Sequence, residues 1–339
     1  MALLEVADLS VTFETERGDV LALDGVDFSV RRGETVCLVG ESGSGKTVGC
    51  ESITRLLPSP PAHIGGTVTF DGTDLTAASE RALERIRGGR IAHVFQNPQG
   101  ALDPVYTIGD QIVEAIHLHR DVSDAEARRR AIDLLDSVGI PDPATRIDEY
   151  PHEFSGGMKQ RAVIAIALAA DPDLLVADEP TTALDVTTQS EILDLLDELQ
   201  AERDMAVLFV THDLGIVAEI AARVVVLYAG KVMETGPIED IFDRSAHPYT
   251  RALLESLPAA HDDPEPIGGS LPDPRSPPDG CRFHPRCSHA IDACRTGDHP
   301  TPYGIDEDHA AACVHYEDER DESVLPWRRR VEPTSEGSE

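Results

Sequence analysis

No stretch constrains this chain more than Gly40-Glu41-Ser42-Gly43-Ser44-Gly45-Lys46-Thr47. Two glycines separated by four residues, then Lys and Ser/Thr, form a phosphate-binding loop pattern. The preceding run, Thr35 to Val39, is apolar and β-branched, as suits a buried parallel strand. The following residues, Val48 to Leu57, can form a helix that stops before Pro58. Strand, glycine loop and helix aim backbone N–H groups and a helix N-terminus at one anion. Gly40, Ser42, Gly43, Ser44 and Gly45 would form the cradle. Lys46 would reach the outer phosphates of a nucleotide, and the Thr47 hydroxyl would ligate Mg²⁺. A chance glycine-rich turn would not come with both flanks in place.

Charge narrows the partners. Among 339 residues there are 62 acidic and 29 basic ones, a formal net charge of -33. Nucleic acid and anionic lipid would both be repelled. Only Lys46, Lys159 and Lys231 are lysines, and the acids are spread along the chain rather than gathered in a tail. In composition alone the chain resembles halophilic proteins, whose self-repulsion is screened by salt. No run approaches the roughly 18 apolar residues of a membrane-spanning helix, the best being Ala162 to Ala170. The first residues alternate like a strand and show no leader. The chain reads as cytosolic, with any membrane role reached through a partner.

In order, Leu3 to Phe13 and Val20 to Val30 read as strands. Phe13 ends the first about where an adenine ring could stack, although a core role is commoner for such an aromatic. Thr67 to Phe70, a turn at Asp71-Gly72 and a helix over Ser79 to Arg87 come next. Ile91 to Phe95 is another apolar run, closed by Gln96. Residues 97–157 then read as a helical insert. Thr107 to His119 forms one helix, and a capping box at Ser123-Asp124-Ala125-Glu126 opens another that ends at Gly139. Ser155 can cap a further helix whose start Gly156 and Gly157 expose, either as a second phosphate-facing helix end or as an ordinary cap.

Leu174 to Ala177 deliver Asp178 and Glu179 to a strand C-terminus, where ligands bind in open α/β sheets. Asp178 suits Mg²⁺ and Glu179 suits a water-activating base. Asp185 precedes a helix over Thr187 to Glu202. Ala206 to Val210 is a buried strand that brings His212 to the same sheet edge. A hairpin over Val224 to Thr235 closes the unit. Pro258 to Gly280 is proline-rich and reads as an extended arm or linker. The last residues, 326–339, read as disordered.

The loop at Gly40, Gln96, Ser155-Gly156-Gly157, Asp178-Glu179, Ala183-Leu184-Asp185 and His212 stand in the order and spacing of ABC ATPases. Over residues 1–257 the chain resembles that family. Gln96-Asn97-Pro98-Gln99-Gly100, Tyr150-Pro151-His152-Glu153, His247-Pro248-Tyr249-Thr250 and Gly280-Cys281-Arg282-Phe283-His284-Pro285-Arg286-Cys287 resemble the ATPase subunits of oligopeptide/dipeptide importers. That narrower likeness extends to about Tyr316. Met158 departs from the Gln common at the end of the broad family signature, but other peptide-importer ATPases share it.

The resemblance implies an α/β fold: a mixed-sheet core, an antiparallel β subdomain, the helical insert and a small C-terminal cysteine-containing extension over 258–325. It implies ATP and Mg²⁺, the metal held by Thr47, Gln96 and Asp178. Lys46, Glu179, His212 and Gln96 would be the catalytic groups. Ser155, Gly156 and Gly157 would complete the ATP site of a second ATPase subunit, a different chain, and Asp185 would be a further nucleotide-binding residue. Phe13 would stack on adenine. Two transmembrane permease subunits and an extracytoplasmic solute-binding protein would complete the assembly at the cytoplasmic face of the cell membrane. Nickel or oligosaccharide import is the alternative within transport. A soluble ABC ATPase of translation or DNA repair is a different class, but such proteins carry paired ATPase domains or a long coiled coil.

Cys37 and Cys50 lie in core elements and read as free thiols. Cys281, Cys287, Cys294 and Cys313 crowd a short stretch with little apolar content, which cannot bury a core of its own. A metal centre would order it. Structural zinc sites usually contain a ligand pair two to four residues apart, whereas these gaps are wider. The spacing favours an iron–sulfur cluster of the [4Fe-4S] kind, with zinc or unligated thiols as alternatives.

Overall fold

The computed structural model describes residues 2–96, 98–182, 184–257 and 267–316. Asn97, Ala183, the first part of the proline-rich arm and the expected disordered tail lie outside the described residues.

Two sheets carry the fold. The smaller is antiparallel, in the order β2-β1-β4-β5, from β1 (Ala2–Phe13), β2 (Val20–Arg31), β4 (Ala62–Phe70) and β5 (Thr73–Asp74). The turn from β4 to β5 is Asp71-Gly72, with φ of 47° and 76°. Two consecutive positive values suit a tight hairpin, and Gly takes the second without cost.

The larger sheet has a parallel heart, β9-β3-β8-β7-β6. Its strands are β3 (Thr35–Val39), β6 (Ile91–Val94), β7 (Leu174–Asp178), β8 (Ala206–Thr211) and β9 (Arg223–Tyr228). Their near-continuous apolar sequences follow from burial on both faces. In β3, Cys37 and Val39 join the core on the helical side, while Val36 and Leu38 join the core shared with the antiparallel sheet. Strand β10 (Lys231–Pro237) pairs antiparallel with β9 through a turn at Ala229-Gly230.

Helix α1 (Lys46–Ile53) follows the glycine loop, and α2 (Glu80–Ile86) follows β5. The segment between β6 and β7 is helical: α3 (Pro98–Ala101), α4 (Ile108–His119), α5 (Asp124–Ser137), α6 (Pro143–Arg146) and α7 (Gly156–Ala167). The full capping box sits at Thr107 and Asp110, not at the expected Ser123. Ser123 does accept from Glu126 N, but the Glu126 carboxylate turns to Arg129 and Arg130 on its own helix. Helices α8 (Val186–Arg203), α9 (Leu214–Ile220), α10 (Ile238–Asp243) and α11 (Pro248–Glu255) complete the unit.

The C-terminal extension does not hang free. Strands β11 (Tyr303–Asp306) and β12 (His309–Ala311) lengthen the large sheet beyond β10. The sequence gives little sign of them, because three or four residues are too short for a readable alternation.

Candidate active site

The parallel strands end at one edge, and that edge gathers the chemistry. The glycine loop leaves β3, Gln96 follows β6, Asp178 and Glu179 end β7, and His212 follows β8. These four strands are consecutive neighbours, so their C-terminal ends converge on one cleft.

The loop depends on its glycines. Gly40 has φ of 154°, and a Cβ there would lie 2.0 Å from the Leu227 carbonyl oxygen. Gly45, with φ of 107°, begins α1, and a Cβ there would lie 2.7 Å from the Ala22 carbonyl oxygen. The helix therefore opens at Lys46, two residues earlier than the sequence suggests. The Lys46 ammonium is buried and donates to the carbonyls of Gly40 at 2.7 Å and Glu41 at 2.9 Å. Burial lowers its pKa, against the pull of Glu179 and Asp178.

Asp178 is also buried, and burial raises its pKa although the Thr47 hydroxyl bonds to it. Its Oδ1 has no hydrogen-bond partner, and neither does Ser44 Oγ. A buried carboxylate oxygen without a donor is costly unless a cation completes it. Hard oxygens from Asp178 and Thr47 are the donors Mg²⁺ prefers, so the residues present fit that ion.

Glu179 is the most constrained group in the cleft. Its backbone takes φ of 45°, unusual for a side chain of this size. One carboxylate oxygen accepts from Gln96 Nε2 at 2.8 Å and from the Thr182 hydroxyl at 3.0 Å. The other lies 2.8 Å from His212 Nδ1. Burial works against its charge, but the bonds from His212 and Thr182 outweigh that and hold its pKa below the ordinary carboxylate value. The group is an ionised base at neutral pH, aimed by three partners.

The cleft encloses about 260 Å³. Lys46, Thr47, Gln96 and Glu179 form its polar end, and Val20, Leu21 and Ala22 form an apolar flank. Phe13 is not among the residues lining it. Phe13 pairs with Val20, which does line it, and with Ala62 across the antiparallel sheet, and packs on the core.

Ser155, Gly156, Gly157 and Asp185 do not line this cleft either. Ser155 Oγ accepts from Met158 N at 3.3 Å and caps α7. Asp185 caps α8, accepting from Thr188 N at 3.0 Å and Thr188 Oγ1 at 2.8 Å. A Cβ on Gly157 would lie 2.6 Å from Thr188 Cγ2, so the two helix starts pack on each other within the chain.

Behind the glycine loop stands a support that the sequence does not disclose. Glu41 N donates to the Tyr249 hydroxyl at 3.1 Å, and the Glu41 carboxylate takes Arg286 Nη1 at 2.9 and 3.0 Å. Phe283 is buried against Tyr228 and Tyr249, with ring centroids 5.3 and 5.1 Å away. The motifs around His247 and Cys281, distant in sequence, thus form one aromatic cluster behind the phosphate loop.

That cluster removes the premise of the iron–sulfur expectation. Cys281, Cys294 and Phe283 belong to the main core, and Cys313 joins a small cluster with Ala246 and Tyr316. The extension is ordered by borrowing the core of its neighbour. The four thiols share one neighbourhood, and burial pushes Cys281 and Cys313 up to about 12. Yet among the described residues no three His, Cys, Asp or Glu side chains are gathered to hold a metal ion. The [4Fe-4S] assignment at Cys281, Cys287, Cys294 and Cys313, and its zinc alternative, therefore find no support. Cys37 and Cys50 are buried thiols beside the loop, their pKa values raised by burial.

Comparison with known proteins agrees with this geometry. The ABC transporter family profile matches residues 23–182, and the profile of the oligopeptide/dipeptide transporter C-terminal region matches 233–294. A Brucella abortus protein named for peptide import and ATP binding is 52% identical over 295 residues, covering 86% of this chain and 89% of its own. A Brucella ovis protein of the same name is 48% identical over 331 residues, covering 93% and 98%. Neither relative lends support to a halophilic origin. Among solved structures, the ATP-binding cassette MJ0796, a dimer in a post-hydrolysis state with ADP and Pi, is similar with a TM-score of 0.62 and 29% identity, covering 69% of this chain and 98% of that one. The cbiO1 protein of Clostridium perfringens, part of the transporter complex cbiONQ, gives 0.62 and 29%, covering 71% and 91%. Among the described residues no helix is long and apolar enough to cross a membrane.

Proposed function

Since this chain belongs to the ABC transporter ATP-binding family, we propose that it hydrolyses ATP to energise peptide import across the cytoplasmic membrane. The observation that carries the reading is Glu179, held ionised by His212 and Thr182 and bonded by Gln96 in the cleft that Lys46 shares. In this reading Glu179 orients and deprotonates the attacking water, and His212 fixes the carboxylate and supports the terminal phosphate. Lys46 exchanges its loop carbonyls for phosphate oxygens. Thr47, Asp178 and Gln96 would hold Mg²⁺, which neutralises phosphate charge when bound.

The site is one half of a pair. Ser155, Gly156, Gly157 and Asp185 would serve the cleft of a partner ATPase in a head-to-tail dimer, which their position outside their own cleft supports. The partner would be an unlike chain. Two permease subunits and an extracytoplasmic solute-binding protein would complete the importer, with this subunit peripheral on the cytoplasmic side. Residues 1–257 would form the ATPase domain, with the insert at 97–157 facing the permeases, and 258–325 the extension.

Glu179→Gln tests the assignment. It keeps the volume and loses the charge, so MgATP binding should persist while turnover falls roughly 10²–10⁴-fold. Wild-type turnover in the variant would refute the role.

A further inference from the structure

The proline-rich stretch is not a free linker in its described part. It folds back onto the nucleotide cleft, where Leu271, Pro272, Asp273, Pro274 and Pro277 line it alongside Val20 and Leu21. Three contacts fix it there. Leu21 N donates to the Pro274 carbonyl at 3.0 Å. Arg286 donates to the carbonyls of Ile267 at 3.1 Å and Gly268 at 2.8 Å, while its other nitrogen holds Glu41 of the phosphate loop. Leu271 Cδ1 lies 3.8 Å from the point where a Gly43 Cβ would stand.

The cleft is therefore asymmetric along its length. Lys46, Thr47, Gln96 and Glu179 give one part to phosphate and water, whereas Val20, Leu21 and Ala22 and, joined to them at the Leu21–Pro274 bond, Leu271, Pro272, Pro274 and Pro277 give a mostly apolar flank beside the Asp273 carboxylate. A nucleoside triphosphate has the same asymmetry, with charge at one end and a flat, weakly polar base at the other. We propose that residues 271–277 form a wall of the nucleotide site, extending the flank that β2 begins so that the base seats against it. The proposal rests on the nucleotide reading above and adds the extension to it. Prolines 272, 274 and 277 have fixed φ, so little entropy is lost when a base seats against them. Arg286 is a positioning residue, tying the wall to the loop that holds the phosphates.

The test separates base from phosphate, using the full chain and equilibrium titration with ATP and with inorganic tripolyphosphate. Leu271→Ser should raise the Kd for ATP roughly three- to tenfold, the worth of a few tens of Å² of apolar contact, and leave tripolyphosphate unchanged. Leu271→Met should retain wild-type affinity and shows that the backbone tolerates change there. Unaltered ATP affinity in Leu271→Ser would overturn the proposal. So would an equal loss for ATP and tripolyphosphate, because a disturbed phosphate loop explains that without any wall. Lys46→Ala should weaken both ligands. If it weakens neither, the nucleotide reading itself fails and the wall fails with it.

Discussion

Phe283→Ala is the sharpest test of how the extension is held. The side chain is 1% exposed and packs against both Tyr228 and Tyr249, whose rings also touch each other. Both neighbours are anchored from behind, Tyr249 by Glu41 N and Tyr228 by Arg286. The cavity therefore cannot easily collapse, which places the loss in the upper part of the ~3–5 kcal/mol range for Phe→Ala in a core. At ~2.1 cal/mol/K per residue, 339 residues give an unfolding entropy of about 0.7 kcal/mol/K. A loss of ~4.5 kcal/mol should then lower the thermal midpoint by about 6 °C when the chain melts as one unit. Scanning calorimetry measures the shift, and limited proteolysis detects local release of the extension if it opens by itself. A midpoint within about 1 °C of wild type, with an unchanged cleavage pattern, would refute the idea that this ring joins extension to ATPase core.

Three other outcomes follow from charge, assembly and glycine packing. With a net charge of -33, the thermal midpoint should rise between ~0.1 M and ~2 M KCl as repulsion is screened, and a flat profile would count against that account. Purification of the importer through a tag on this chain should yield a second, unlike ATPase chain, and a single ATPase species would sink that partner assignment. Gly156→Ala should leave the fold and single-chain MgATP binding intact but abolish turnover in the assembled ATPase pair, whereas normal turnover would remove α7 from the partner's site.

The sequence discloses those parts of the site whose residues are close neighbours along the chain. A strand followed by a glycine loop, or by Asp178-Glu179, places a side chain at a sheet edge by local geometry alone. The hairpins at Asp71-Gly72 and Ala229-Gly230 are legible for the same reason. What escapes is held by pairs far apart in the chain. Arg286 meets Glu41 across 245 positions, and Leu21 N donates to the Pro274 carbonyl. Nothing in the proline content distinguishes a linker from a wall, because both need a stiff, extended backbone. Phe13 is legible only as far as its strand end: register pairs it with Val20, which lines the cleft, and with Ala62. For the thiols it is the premise about size that does not hold, since a segment too small for its own core can still share another's.

The two signature glycines divide between these cases. Gly157 is required by its own chain, because any Cβ would strike Thr188 on the neighbouring helix start. Gly156 is different. A Cβ there would meet only Leu184 Cδ2, at an ordinary 3.9 Å, so packing within the chain would accept alanine. Nor does Gly156 have a positive φ to demand glycine. Its missing side chain leaves backbone N–H groups open at the start of a helix of 12 residues whose own cleft lies elsewhere. A helix start bared in this way is suited to an anion brought by another molecule, and the terminal phosphates on a partner ATPase have the charge to meet it.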